Sequence, residues 1–501
     1  MNYIPEVSIH RPETSEHALS EIELKLEISH HDVEALLSAG LFPASASTVS
    51  QHSIYFDTTG NALFTEGFTL RIRQAGDSKV QTIKATGSGA SIFARSEWET
   101  PVTDNRPIID HSNPLLSEFG EIARSVEPKF TVAIERQTWT VIENGSTIEV
   151  ALDRGEVRVV DRRSPITELE LELKDGKAAD LFVLARKIEA VVPIAFGVLS
   201  KAERGFRLLE AARIVVKAEP INFDRGTSTR EAFKAIASSC LRQFRLNETI
   251  LRNLRNAESL HQARVALRRL RSAITLFKPM LLDAEAKRLS GELKWLAGIL
   301  GDARNLDVLI PKAQPGKLRD TLLSKRDAAY EAALEALDSS RMRALMLDFN
   351  DWLHCGDYRS RAATKEVREI PAERFAAEAL DRARKKLKKH GADLSAVDDE
   401  HRHEARKDAK KIRYASEFFR SLFTDKKQAR RYKRFVGAME TLQDELGELN
   451  DLATGPEVLQ SYGVGDIVGA GELISHSDKS TLIDNAQQAL DDVMDAKRFW
   501  R

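Results

Sequence analysis

Several short runs of this chain alternate charged with aliphatic residues, in a spacing that could hold a metal ion beside a phosphate. They include Glu21-Ile22-Glu23-Leu24-Lys25-Leu26, Thr69-Leu70-Arg71-Ile72-Arg73 and Glu168-Leu169-Glu170-Leu171-Glu172-Leu173-Lys174. A strand turns residues i, i+2 and i+4 to one face. Glu21, Glu23 and Lys25 therefore share a face, as do Arg71 with Arg73, and Glu168 with Glu170 and Glu172. An antiparallel sheet with one solvated face shows the same alternation. The sorting of charge points further. Two runs are acidic, while others carry Arg71, Arg73, Lys84, Arg95, Arg136 and Lys201. If these faces line one lumen, carboxylates suit a hard divalent cation and Arg or Lys suit phosphate oxygens. Phosphoryl transfer needs that combination of positioning, neutralised charge and activated water.

A second constellation is helical. His261, Arg264, Arg268 and Arg271 are spaced i, i+3, i+7 and i+10, which places them on one helix face within an arc of about 80°. His403, Arg406, Lys410 and Arg413 repeat the spacing without a gap. No acidic residue shares either arc, so an anion is the natural ligand. The stripes lack the interleaved aromatics that stack nucleobases, which argues against specific nucleic-acid binding.

These residues need two kinds of scaffold. Residues 1–220 carry net charge −9, residues 221–434 carry +17 and residues 435–501 carry −9. Strand-type alternation runs to about residue 215, broken by turns such as Gly76-Asp77-Ser78, Gly87-Ser88-Gly89 and Asn144-Gly145. Helices are expected over Asp32–Ala39 and Ala178–Val191. Beyond residue 226 the periodicity is helical, from Thr229 through Ser480–Ala496. The domains read as 19–215, a linker 216–226 and 227–500. The last contains two repeats, approximately 230–340 and 370–500. The +17 block predicts a polyanion partner.

A length of 501 residues and 42% hydrophobic content suit two or three packed domains. Cys240 and Cys355 stand far apart, which excludes a disulfide scaffold. The N-terminus lacks a signal-peptide plan, and Arg186, Lys187 and Glu189 interrupt the most apolar stretch. A cytoplasmic protein without membrane association is expected.

The Glu21-Ile22-Glu23-Leu24-Lys25 run resembles the ExExK signature of the CYTH, or triphosphate tunnel metalloenzyme, family. Tyr55 to Thr58, Arg71, Arg73, Lys84, Arg95, Arg136, Asp153, Glu168 to Leu173 and Ser200-Lys201 follow in matching order. The resemblance implies an antiparallel eight-stranded tunnel in an α+β domain, binding triphosphate with Mg²⁺ or Mn²⁺. It implies Glu21, Glu23, Glu168 and Glu170 as metal ligands, with Asp153 completing the shell or orienting cations. Lys25, Arg71, Arg73, Lys84, Arg95 and Arg136 would grip phosphates. Lys201, if its pKa is depressed, and a tunnel glutamate, Glu170, are both candidates for the general base. The paired stripes, followed by Leu300-Gly301 and Leu446-Gly447, resemble the CHAD domain. That likeness implies an all-α bundle that binds inorganic polyphosphate through His261, Arg264, Arg268, Arg271, His403, Arg406, Lys410 and Arg413.

The expected function is metal-dependent hydrolysis of inorganic triphosphate to pyrophosphate and phosphate. The alternatives are a class IV adenylate cyclase, a thiamine triphosphatase, or a non-catalytic polyphosphate-binding adaptor.

Overall fold

The computed structural model describes residues 22–86, 95–474 and 478–501. Glu21 and the turn Gly87-Ser88-Gly89 lie outside the described residues.

The strands are β1 Ile22–Ile28, β2 Ser47–Asp57, β3 Phe68–Ala75, β4 Ser78–Thr86 and β5 Arg95–Pro101. They continue as β6 Glu127–Glu143, β7 Ser146–Val159, β8 Arg162–Asp175 and β9 Ile194–Phe196. All pairings are antiparallel, in the order β5-β4-β3-β2-β6-β7-β8-β1-β9. The expected count was eight; the described residues contain nine. The extra strand, β9, is three residues long and pairs with β1 at Leu26 and Phe196.

The helices of eight residues or more are α1 Ala178–Glu189, α2 Lys201–Leu209, α3 Thr229–Leu254, α4 Ala257–Leu276, α5 Ala284–Leu309 and α6 Lys317–Asp338. They continue as α7 Ser340–Cys355, α8 Ala372–His390, α9 Asp399–Phe418, α10 Lys426–Ser461 and α11 Lys479–Asp495. Short helices also form over His30–Ser38, where Ser29 caps the first turn by accepting the His31 amide.

The sheet turns its polar face inward. On β1, Leu24, Leu26 and Ile28 are buried outward in a core shared with Leu181, Phe182 and Ile188 of α1. Glu23, Lys25 and Glu27 point the other way. Helix α2 closes one end of the enclosed space. Its apolar face, Ala202 and Phe206, packs on Tyr55, Phe130, Val132 and Ile134 of the inner wall. Phe206 stacks on Phe64 with ring centres 4.0 Å apart. Gly205 permits this fit, since a Cβ there would lie 2.1 Å from the Phe130 ring.

The two halves are joined by packing as well as by chain. One apolar core runs from β1 and α1 into α3, α4 and α9. Arg186 of α1 pairs with Asp348 at 3.0 Å and Asp351 at 2.9 Å on α7, and Arg343 of α7 pairs with Glu189 at 2.8 Å. The segment 216–226 is docked. The Val216 amide donates to buried Asn247 Oδ1 at 3.0 Å, and Asn247 Nδ2 donates to the Val216 carbonyl at 2.7 Å.

Candidate functional site

Register places the charged residues in rows across the inner face. One row reads Arg136, Asp153, Glu168, Glu27 across β6, β7, β8 and β1. The next reads Ala151, Glu170, Lys25, and the third reads Glu149, Glu172, Glu23. Opposite them, Arg71 faces Thr82, and Lys84 faces Glu97. The sheet encloses a cavity of about 600 Å³, lined by Glu23, Lys25, Arg71, Arg73, Lys84, Arg136, Glu170, Glu172 and Lys201 among others. The structure therefore brings most of the candidate strand residues to one space. Arg95 opens β5.

Burial binds the first row into a network. Arg136 forks onto Asp153, with Nε 2.7 Å from Oδ1 and Nη2 2.6 Å from Oδ2, and reaches Glu170 at 2.5 Å. Lys25 Nζ lies 2.6 Å from Glu170 and 3.5 Å from Glu23. Lys201 Nζ lies 2.6 Å from Asp153, 2.6 Å from Glu168 and 2.9 Å from Glu170. Burial alone would raise the Glu170 pKa, but Lys201, Lys25 and Arg136 hold it well below the usual carboxylate range.

Two expectations about Lys201 are corrected here. It sits on the first turn of a helix, α2, and not on a strand. Its pKa is raised, not depressed. Burial pushes it down, and the carboxylates of Glu170 and Glu168 more than reverse that. A lysine base would need the opposite shift. The geometry makes Lys201 a fixed cation that gathers carboxylates.

Asp153, Glu168 and Glu170 bring one oxygen each within 4.8 Å of one another. Their common neighbour is the Lys201 ammonium, and Asp153 and Glu168 lie fully buried behind the cavity wall. On the wall itself, Glu23 Oε1 is buried and makes no hydrogen bond. It stands in the row where Glu149, Glu172 and Glu23 are directly opposed. Lys174 pairs with Glu172 at 2.6 Å and with Glu149 at 3.5 Å, and Lys25, shared with Glu170, stands 3.5 Å from Glu23, so cations offset only part of the repulsion in this row. Hard oxygen donors in that setting fit Mg²⁺ or Mn²⁺. Glu172 and Glu149 were not singled out as ligands from sequence. Strand alternation carried the signal, since both share the inner face with the chosen glutamates.

In the helical half the two stripes meet. Burial lowers the basicity of Arg264, Arg406 and Lys410, and Arg268 lowers each further. Arg268 of α4 is thus in Coulombic reach of Arg406 and Lys410 of α9. Arg264 is pushed down to about 10 and Lys410 to about 7. The Nε atoms of Arg268, Arg271 and Arg406 are buried without a hydrogen-bond partner. His403 Nδ1 lies 2.6 Å from Asn450 Oδ1, while burial and then Arg304 lower the pKa of His261. Acidic groups from the neighbouring helices stand near the stripes: Asp302 is in Coulombic reach of Arg264, and Asp451 of Arg406 and Lys410. One stripe residue is directly ion-paired. Arg413 donates to Glu417 at 2.9 Å, which also takes Arg269 at 2.6 Å, so Arg413 has the acidic partner that the arc lacks. Glu417 lies one turn beyond the aligned stretch, which is why the spacing did not include it. Tyr414 lies between Arg268 and Arg413, with ring-centre distances of 5.8 and 5.1 Å, and is buried. It offers no free face to a nucleobase.

The glycine after each stripe has a physical use. A Cβ on Gly301 would lie 2.8 Å from Arg264 Nη1, which reaches over this position to donate to the Leu300 carbonyl at 3.3 Å. Gly447 stands 3.8 Å from Arg406 Nη2 by the same measure.

A charged tunnel joined to a basic helical bundle is the class that fold and site define. The CYTH domain family matches residues 19–206 and the CHAD domain family matches residues 235–460. The chain is a CYTH domain followed by a CHAD domain. An inorganic triphosphatase from Haemophilus influenzae is 31% identical over 199 residues, which cover 38% of this chain and 55% of that relative. The match thus spans about half of the relative's length. The crystal structure of a CHAD domain from the plant Ricinus communis is 28% identical, covering 55% of this chain and 96% of that one with a TM-score of 0.46. A Hippeastrum protein, provisionally an adenylyl cyclase and described with a dominant triphosphatase activity, is 20% identical. It covers 36% of this chain and 93% of that one, with a TM-score of 0.28. Among the described residues, no helix is long and apolar enough to cross a membrane.

Proposed function

We propose that the chain hydrolyses inorganic triphosphate in the sheet-lined cavity, using a divalent metal, and that the helical half binds polyphosphate. The observation that carries the first part is the wall of the cavity. Arg71, Arg73, Lys84, Arg136 and Lys25 converge there with Glu23, Glu170 and Glu172. Arg and Lys side chains on opposing strands would bind the phosphoryl oxygens from several sides, fixing a linear anion along the cavity. Glu23 and Glu170 would hold Mg²⁺ or Mn²⁺. A divalent ion supplies neutralisation of phosphoryl charge and acidification of water. Lys201 and Arg136 fix Glu170 and Asp153 before substrate arrives, so little reorganisation remains for the reacting state. Glu170, a carboxylate at neutral pH, orients the attacking water. Helix α2 shuts one end and excludes bulk water.

The inorganic substrate is preferred because the inner wall is built from charged side chains on nearly every strand, a surface suited to phosphates. Glu23→Gln and Glu170→Gln test the site. Each should lower triphosphate turnover by about 100-fold while polyphosphate binding by the helical half persists. Wild-type turnover in both variants would refute the assignment. The bundle reading is carried by the half-buried arginines of the two stripes, whose Nε atoms at Arg268, Arg271 and Arg406 lack a hydrogen-bond partner. Arg264→Ala with Arg406→Ala should weaken polyphosphate binding and flatten its salt dependence.

A further inference from the structure

The floor of the tunnel is held from the helical half. Helix α2 starts at Ser200, whose Oγ accepts the Glu203 amide at 3.2 Å while the Ser200 amide donates to Glu203 Oε2 at 2.8 Å. This capping box sets the turn that carries Lys201. The second oxygen of Glu203 accepts Arg242 Nη2, on α3, at 2.5 Å. Arg242 Nη1 also donates to the Val198 carbonyl, just before the cap. One turn later on α3, Arg245 Nε donates to the Phe196 carbonyl, at the end of β9, at 3.3 Å. Arg245 also stands 3.8 Å from Glu27, whose other oxygen pairs with Arg204 of α2. Two arginines of one bundle helix thus grip the segment from β9 into α2 on both sides of residues 197–200. Gly197 within it backs onto Lys25, since a Cβ there would lie 2.6 Å from Lys25 Cγ.

We propose that Arg242 and Arg245 are positioning residues for the tunnel reaction. The CHAD helix α3 fixes the entry to α2 and so places Lys201, and with it Glu168 and Glu170, for turnover. The inference rests on the triphosphatase reading of the cavity. It makes the helical half part of the tunnel's active geometry, beyond any polyphosphate binding of its own. Arg242 does not itself line the cavity and pairs with none of Asp153, Glu168 and Glu170; it meets the wall only through Glu203, so its effect must pass through the capping box and the Val198 carbonyl. A guanidinium serves both at once, because its fork donates in two directions in one plane.

The test uses the full chain and two readouts. Tripolyphosphate turnover with Mg²⁺ is measured for wild type, Arg242→Ala, Arg242→Lys and Arg245→Ala, alongside amide hydrogen exchange over residues 196–204. Thermal melting identifies any variant that fails to fold. Arg242→Ala should lower kcat by about 10-fold to 100-fold with KM changed far less, as small misplacements of an active group do. Exchange should rise locally over 198–204, and Arg242→Lys should restore part of both. Wild-type kcat and wild-type exchange in Arg242→Ala would overturn the proposal, as would a loss that tracks the folded fraction alone. If the wild-type chain releases no phosphate, the triphosphatase reading fails, and exchange still decides whether Arg242 positions α2. Should Arg242→Ala not fold, Arg242→Lys and Arg245→Ala carry the same two readouts.

Discussion

Lys201 shows how far one side chain can depart from what its type and position in sequence imply. Three carboxylates surround it within 2.9 Å, and two of them, Asp153 and Glu168, are fully buried. Removing a charge from such a group leaves the others unpaired in a low-dielectric setting. Lys201→Met should therefore cost about 3 kcal/mol of stability, read by denaturant unfolding, together with turnover. An unchanged unfolding midpoint would contradict the network. Lys410 gives a pH prediction. Burial, then Arg406 and Arg268, bring its pKa down to about 7. An unfolded lysine keeps its proton to higher pH, so between about 7 and 10 the unfolded chain binds more protons and this residue's contribution to stability grows as pH rises. Binding a polyanion restores the charge and takes up a proton. Polyphosphate affinity should weaken as pH rises above 7, and Lys410→Arg should remove that part of the dependence, since arginine stays charged. A titration by calorimetry at pH 6, 7, 8 and 9 reads both.

At the scale of elements, the contrast between Gly301 and Gly447 is the sharpest check on the stripe geometry. Both lie inside helices, where alanine is favoured over glycine by up to about 1 kcal/mol. Gly301→Ala should therefore keep or raise stability. It should also displace Arg264 and weaken polyphosphate binding by roughly tenfold, the worth of one charged hydrogen bond. Gly447→Ala, with Arg406 at 3.8 Å, should leave binding unchanged. Equal effects of the two would contradict the geometry. Strand alternation made β1, β3, β8 and most of the inner face legible, because one residue in two was charged. Strand β2 was less visible as an element. Its first half, Ser47 to His52, is polar or exposed on both faces, so no period of two stands out. Helix α2 was missed because it is nine residues long with Gly205 in its middle, a residue that lowers helix propensity but is needed against Phe130.

The whole molecule is bound by a core continuous from the sheet to the bundle, by ion pairs at α1, α2 and β1, and by the Arg245 hydrogen bond to β9. The charge asymmetry along the chain pointed to a second domain, for which a polyanion is the proposed ligand. It could not announce that the linker is stitched to Asn247 or that α3 grips the tunnel floor, because those contacts pair residues 31 or more positions apart with no periodic signature. With one core shared, calorimetric unfolding should show a single transition; two separated transitions would contradict the shared core. The central claim is that the tunnel hydrolyses inorganic triphosphate, and phosphate release tests it most directly. The purified chain is incubated with tripolyphosphate and Mg²⁺, with and without chelator, beside ATP and thiamine triphosphate. The account predicts chelator-sensitive release that is fastest on tripolyphosphate. No release from any of the three, with polyphosphate still bound, would contradict it and leave a binding protein in its place.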